Sequence, residues 1–415
     1  MSSSTLIGHA LPSPTGRGVA ARREGRSHAL AALSFVLLFP AFFYYQSGVA
    51  VGYVSNVLGG YFTAGAALTL PLLLMALASA PSLRSIGSSA PTTLFVMFMV
   101  IFAGCVVTGA LIGANELITS TYLAYVLKFV SIFLVATLVN GQNTGFQRLC
   151  QALFLGIVVT ALTTASDGKF LQAAITVALG GEFFLDYQGL AYAYIVMLIY
   201  AVPSMNYLLR LSLYAASVVA LFLIGARSEF VGFLVVALII EFCKAGSRPR
   251  FLFTLAAMAI VSALAFVQLA ETFADHRIFA LLEVDSDQSA IERSELMDDA
   301  LRTIEENPVF GKYASYEQGN YAHNILSAWV DFGFLGFVVL SGFLVALLSM
   351  HLRMFRRHAR HDLFVQSFSC TVFTVLLMLA AKHYTYQMIP VAAGLAYRLH
   401  CILRPANPGP AIATG

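Results

Sequence analysis

The chain has 415 residues, of which 59% are hydrophobic and 11% charged, and its mean hydropathy is +0.80. Soluble proteins carry about a quarter charged residues, so a soluble enzyme, a disordered chain and a basic nucleic-acid binder are excluded, and a polytopic membrane protein in a lipid bilayer remains. The net charge of +3 says little; its distribution along the chain says more.

Residues 1–28 are polar, hold Arg17, Arg22, Arg23 and Arg26, and lead into an apolar run with no small-residue cleavage site. They read as a cytoplasmic N-terminal tail. Apolar windows near the roughly 20 residues needed to cross a bilayer follow at 29–45, 60–79, 92–112, 119–139, 149–165, 188–206, 207–225, 229–243, 250–269, 333–350, 363–381 and 386–402. The expected fold is all-α, a polytopic transmembrane helical bundle of about twelve spans over residues 29–402. A cytoplasmic tail at 403–415 closes the chain. Of the 24 Lys and Arg, sixteen fall on the cytoplasmic side of this scheme and seven on the other, with Lys128 inside a span. Short loops follow that bias, so both termini are expected in the cytoplasm. Five cysteines, at 105, 150, 243, 370 and 401, lie in or beside apolar runs, with no disulfide framework or metal-ligand spacing. They read as packing residues.

One long soluble segment, 270–330, interrupts the apolar pattern on the extracytoplasmic side. With its edge it holds 13 of the 21 acidic residues. Loops of this length are usually functional. Within it, 292–307 reads as an amphipathic helix with Leu296, Met297, Ala300, Leu301 and Ile304 on one stripe, stopped by Asn307-Pro308. Arg293 falls on that stripe and is expected to face the protein, where it needs an anionic partner. Either a nearby carboxylate or a substrate phosphate gripped by the guanidinium fork satisfies it. Arg227 lies in the tight turn between the windows 207–225 and 229–243, where pairing with Glu229, snorkelling and phosphate binding all remain open. His323 closes the loop just before the next helix; it is a capping residue or a general base. Lys128 is an intramembrane charge, paired structurally or bound to a carrier phosphate. Asp285-Ser286-Asp287 imitates a metal motif by chance in so acidic a stretch, and no metal is expected. Tyr384 and Tyr386, beside Lys382 and His383, read as an interfacial aromatic belt.

The run R-x-x-L-M-x-x-A-L-x-x-I-x-x-N-P-x-F-G from Arg293 to Gly311, the run H-N-I-L-S-A-W-V-D-F-G-F-L-G from His323 to Gly336, and Gly-x-Arg-Ser at 225–228 together resemble the O-antigen ligase/polymerase superfamily. The resemblance is strongest over 186–348. It implies a GT-C-like membrane glycosyltransferase, metal-independent and inverting, needing no cofactor, in the bacterial inner membrane with a periplasmic active site. By the same resemblance, Arg227 and Arg293 bind the diphosphate of a polyprenyl-diphosphate-linked glycan donor, and His323 activates the acceptor hydroxyl. The implied partners are that donor, a glycan or lipid-linked glycan acceptor, the bilayer and other polysaccharide assembly proteins; nucleic acid is not among them. Two acceptors stay open. A polymerase extends lipid-linked repeat units into a surface polysaccharide or exopolysaccharide, whereas a ligase transfers the glycan to lipid A–core; the compact chain with its single loop favours the polymerase. A lipid-glycan flippase or secondary transporter is the alternative from another class. It predicts charges lining a midplane cavity, which this distribution does not supply.

Overall fold

Polar side chains punctuate the apolar sequence where helices begin. Ser89, Asn115, Asn143, Asp186 and Asn206 each accept a hydrogen bond from a backbone N–H three residues on, at 3.4, 3.3, 3.0, 2.8 and 2.9 Å, satisfying donors that a helix start leaves orphaned. The computed structural model describes residues 14–55, 61–79, 89–166, 169–171, 186–272, 288–317 and 319–403, without the side chains of 14–23, 166, 265–266, 268–272 and 288–290.

Among the described residues the helices are α1 (Pro14–Leu38), α2 (Pro40–Ala50), α3 (Tyr61–Ala78), α4 (Ala90–Leu111), α5 (Glu116–Leu138), α6 (Thr144–Thr163), α7 (Tyr187–Ala201), α8 (Tyr207–Ile224), α9 (Arg227–Lys244), α10 (Arg248–Thr272), α11 (Gln288–Glu306), α12 (Ser327–His358), α13 (Asp362–Ala380) and α14 (Met388–Leu403). A two-residue antiparallel pair, Ala165–Ser166 with Lys169–Phe170, is the one sheet among them. The all-α membrane architecture is therefore as expected. The number of spans is a different matter. Each of the twelve expected windows is helical, but eight helices among the described residues are long and apolar enough to cross a membrane. Three of the four windows outside that set differ for physical reasons, and the fourth, α10, includes side chains outside the described ones. Helices α7 and α14 have 15 and 16 residues, and α9 carries Arg227, Glu229, Glu241 and Lys244. The first span, Glu24–Ala50, begins before residue 29 and runs through the break at Pro40. Helix α1 itself starts at Pro14, inside the expected tail.

The two short helices are the centre of the bundle. Every residue of α7 from Leu190 to Ala201 is buried, and so is every residue of α14 from Met388 to Leu399. A helix apolar on all sides has no face for water and must be enclosed. Helix α7 packs against α2, α6 and α9, and α14 against α4, α5 and α13. Helices α9 and α13 run antiparallel, joined at one end by the ion pair Lys244–Asp362 and at the other by Glu229 and Lys382.

The superfamily-like motif has a structural job. Helix α12 is broken at Gly333 (φ 66°, ψ −167°), and the chain at Gly311 (φ 70°) lies against that break. A Cβ on Gly333 would sit 2.1 Å from the Val309 carbonyl oxygen, and one on Gly311 would sit 2.5 Å from the Gly333 nitrogen. Both positions combine positive φ with backbone on backbone, which only glycine tolerates. The groups freed by the break are satisfied across the contact: Lys312 N–H donates to Val330 O at 2.6 Å, and Phe334 N–H to Pro308 O at 3.1 Å. Trp329 Nε1 also donates to Pro308 O at 2.8 Å. The two halves of the motif are locked together, which fixes α11 relative to the 319–326 segment that carries His323.

Candidate active site

Three helices start at one cleft. Gln188 and Gly189 in the first turn of α7, Ser228 and Glu229 in the first turn of α9, and Gln387 just before α14 all line it. Helix N-termini present orphan N–H groups and the positive end of the macrodipole, which favours an anion. The remaining walls come from the end of α13 and the link after it (Ala381, Lys382, His383, Thr385, Tyr386), from Tyr321 and His323, from Arg293 on α11, from Tyr125 and Tyr192, and from the carboxylate-bearing Asp186 that caps α7.

Lys382 is buried, with Nζ 2.6 Å from Glu229 Oε1 and donating to Gln188 Oε1 at 3.1 Å. Ser228 Oγ donates to the other Glu229 oxygen at 2.8 Å. Arg293 is exposed at the rim, and among the described residues it belongs to no ion pair. His323 is half-buried, its ring 5.0 Å from Tyr321, which lies 4.2 Å from the buried ring of His383. Burial first, then the charges of Arg293 and Lys382, push the His323 pKa down to about 4. Burial, followed by His323, holds His383 well below the ordinary histidine range. Both imidazoles are therefore neutral near pH 7, and a neutral imidazole is the form that can accept a proton.

Beneath the cleft, the Asp331 carboxylate is fully enclosed. It accepts from Tyr316 Oη at 2.5 Å, Tyr384 Oη at 2.6 Å and the Ala314 N–H at 3.0 Å. Tyr316 Oη also meets His383 Nε2 at 3.4 Å.

Two of the three residues singled out from the sequence, Arg293 and His323, line this cleft. Arg227 is the first residue of α9, adjacent to Ser228, and is not among the lining side chains. The expected stripe of α11 holds at Leu296, Met297, Ala300 and Ile304, with Ala300 packed on Ala322 and Val330, but Leu301 is 43% exposed. Arg293 likewise does not turn into the protein; it extends over the cleft mouth from the exposed start of the helix. Tyr384 and Tyr386 do not form an interfacial belt. The phenol of Tyr384 is buried on Asp331, and Tyr386 lines the cleft with Lys382 Nζ 5.3 Å from its ring centroid. Lys128 is half-buried on α5 with Nζ 4.5 Å from the ring centroid of Tyr125, a cleft residue. Asp285 and Asp287 lie outside the described residues. All five cysteines are free.

Lys382, Glu229, Gln188 and His383 escape motif reading. One signal was present: a Lys-His pair at the end of an apolar helix is expensive to bury without purpose.

No curated protein matches the chain. Residues 212–341 match a protein-family model described as O-antigen ligase. That segment contains Arg227, Arg293, His323 and the interlocked glycines, and it ends before Lys382. The match covers just under a third of the chain and supports its resemblance to the O-antigen ligase/polymerase superfamily over that segment.

Proposed function

We propose that this membrane enzyme transfers a glycan from a polyprenyl-diphosphate carrier to an acceptor hydroxyl, by an inverting and metal-independent route, and that it polymerises lipid-linked repeat units at the periplasmic face of the inner membrane. The observation that carries this reading is the cleft itself. It gathers Arg293, Lys382, three helix N-termini and a neutral His323 around one small volume.

The chemistry follows from those groups. The acceptor oxygen attacks the anomeric carbon, its proton passes to the His323 imidazole, and the bond from that carbon to the diphosphate oxygen breaks, the electron pair leaving with the diphosphate. Charge develops on the leaving group, where Arg293 as a planar fork and Lys382 as a point charge stabilise it. Arg227, one residue outside the cleft lining, supplies a further cation near the same helix start. The diphosphate also acts on the base. Its negative charge offsets Arg293 and Lys382, two of the three influences that depress His323, so donor binding raises the basicity of the residue that must take the proton.

A second reading, ligation of the glycan to lipid A–core, is favoured by the description of the matched family. Disrupting the gene and resolving surface polysaccharide on gels separates the two. Loss of long chains with single repeat units retained supports the polymerase; carrier-linked polymer with none on lipid A–core supports the ligase. Unaltered surface glycans in the disrupted strain contradict both.

A further inference from the structure

The charged cleft has a neutral neighbour. Tyr125, Tyr321 and Thr385 line the cleft and also a second cavity of about 210 Å³, whose other walls include Thr121, Tyr122 and Tyr316. Among the described residues no Lys, Arg, His, Asp or Glu side chain lines this second cavity. The two spaces therefore meet at one wall, and what separates them is charge, since tyrosines line both. The first combines rings with charges; the second has rings and uncharged polar groups alone.

The tyrosines are held in place by bonds that use up their polar ends. Tyr316 Oη donates to Asp331 at 2.5 Å, and Tyr122 Oη is hydrogen-bonded to Tyr316 Oη. Burial and the Asp331 charge push the Tyr316 phenol well above its ordinary range, so it stays a neutral donor. The Tyr122 ring packs 5.9 Å from His383, and the Tyr321 ring packs on both His383 and His323. What Tyr122 and Tyr316 offer a ligand is thus aromatic surface in a fixed position. Hydroxyls with spare lone pairs stand beside them on Thr121 and Thr385; the Thr121 hydroxyl donates to Leu117 O at 2.8 Å, which leaves it free to accept.

A pyranose has this combination in mirror image, with C–H-rich faces and a rim of hydroxyls. Aromatic walls with a few placed polar groups are how such amphipathic ligands are enclosed. The volume lies below the roughly 300 Å³ at which clefts begin to enclose drug-sized ligands, which suits one ring and not a chain.

We propose that this tyrosine-lined cavity is a sugar subsite, holding one pyranose ring of the glycan, the donor's or the acceptor's, against Tyr321 and so beside His323. The proposal rests on the glycan-transfer reading above and adds an uncharged recognition element beside the charged cleft.

The test uses the full chain in lipid nanodiscs and two probes. One is the oligosaccharide released by mild acid from the producing cell's own polyprenyl-diphosphate pool; the other is bare polyprenyl diphosphate. Thr121→Trp fills the cavity from a position outside the charged cleft, and Thr121→Leu fills it less. We expect Thr121→Trp to weaken binding of the free oligosaccharide at least tenfold, and Thr121→Leu by a smaller factor. Bare polyprenyl diphosphate should bind both variants within twofold of wild type, which also reports that they are folded. Arg293→Ala should do the reverse. In two-substrate kinetics, a Thr121→Trp rise in the acceptor KM alone assigns the ring to the acceptor, and a rise in the donor KM alone assigns it to the donor. Oligosaccharide binding unchanged in both Thr121 variants, or no oligosaccharide binding to a wild type that binds polyprenyl diphosphate, overturns the subsite. A wild type that binds neither probe overturns the transfer reading itself.

Discussion

Helix α9 holds two buried carboxylates, Glu229 in its first turn and Glu241 in its last, about 18 Å apart along the axis. Each meets one buried cation at similar range, Lys382 at 2.6 Å and Arg210 at 2.5 Å. Yet the two ends do different things. At Glu241 the geometry is closed: Arg210 grips both oxygens, at 2.5 and 3.0 Å, spends a third donor on Met205 O at 2.9 Å, and Tyr214 Oη adds a bond at 2.9 Å. At Glu229 the cation is an ammonium on the wall of a cleft, with Arg293 and His323 across from it. Equal burial and equal pairing thus mark a structural clamp in one place and, on the function proposed above, a site in the other. What separates them is whether the cation has somewhere else to point.

Breaking each pair in the same way should expose that difference. Arg210→Met leaves Glu241 buried and unpaired, which costs about 3–5 kcal/mol; we expect the loss in thermal stability and membrane abundance, with transfer per folded molecule kept. Lys382→Met should instead cut transfer per folded molecule by about 10²–10³-fold, the range for removing one donor from a charge-stabilising site. Turnover normalised to folded protein measures both, and equal behaviour of the two variants would dissolve the comparison.

Arg293 sharpens it further. As a fork on a diphosphate it is not replaceable by a point charge, so Arg293→Lys should lower kcat/KM by about tenfold or more at equal abundance. Full activity in that variant would make Arg293 a rim charge with no grip on substrate.

The pH profile gives a smaller but cleaner signature. Burial and the two cations hold His323 at about 4, below the ordinary histidine value, so lowering the pH protonates it late. The acid limb of kcat/KM, which reports the free enzyme, should therefore have its midpoint near pH 4. The limb of kcat should lie higher, because bound diphosphate offsets the cations. Coincident limbs near pH 6.5 would mean that His323 is neither buried by the cleft nor coupled to its charges.

The smallest effect belongs to the third pair. Lys244–Asp362 is partly exposed, with side chains 14% and 29% accessible, and such pairs contribute about 0–1 kcal/mol. Asp362→Asn should shift stability within that range and leave transfer unchanged; a loss of several kcal/mol would show that the α9–α13 contact depends on both of its ends.

How much of this was legible beforehand depends on the distance over which residues act. The helices were, because apolar runs and breaks are local signals. The motif around Arg293 and His323 was too, since its glycines and proline serve contacts between neighbouring segments. The count of twelve spans is not confirmed by the eight long apolar helices among the described residues, because hydropathy cannot tell a buried helix such as α7, enclosed by protein, from one facing lipid. Nor could spacing place Arg227 outside the cleft lining and Lys382 inside it. Lys382 lies far along the chain from His323, and only the antiparallel packing of α9 on α13 brings it to Glu229. Tyr384 looked like a belt residue because it lies in the link between α13 and α14 while its partner, Asp331, sits on α12, 53 residues back.

The most direct measurement is turnover of a polyprenyl-diphosphate-linked oligosaccharide by purified wild type and His323→Ala, with bound donor quantified in the same samples. As general base, His323 should contribute about 10²–10⁴-fold to the rate. The account predicts a loss of that size in His323→Ala with donor binding intact, since the cations and not the imidazole hold the diphosphate. Near-normal turnover in the variant would contradict it.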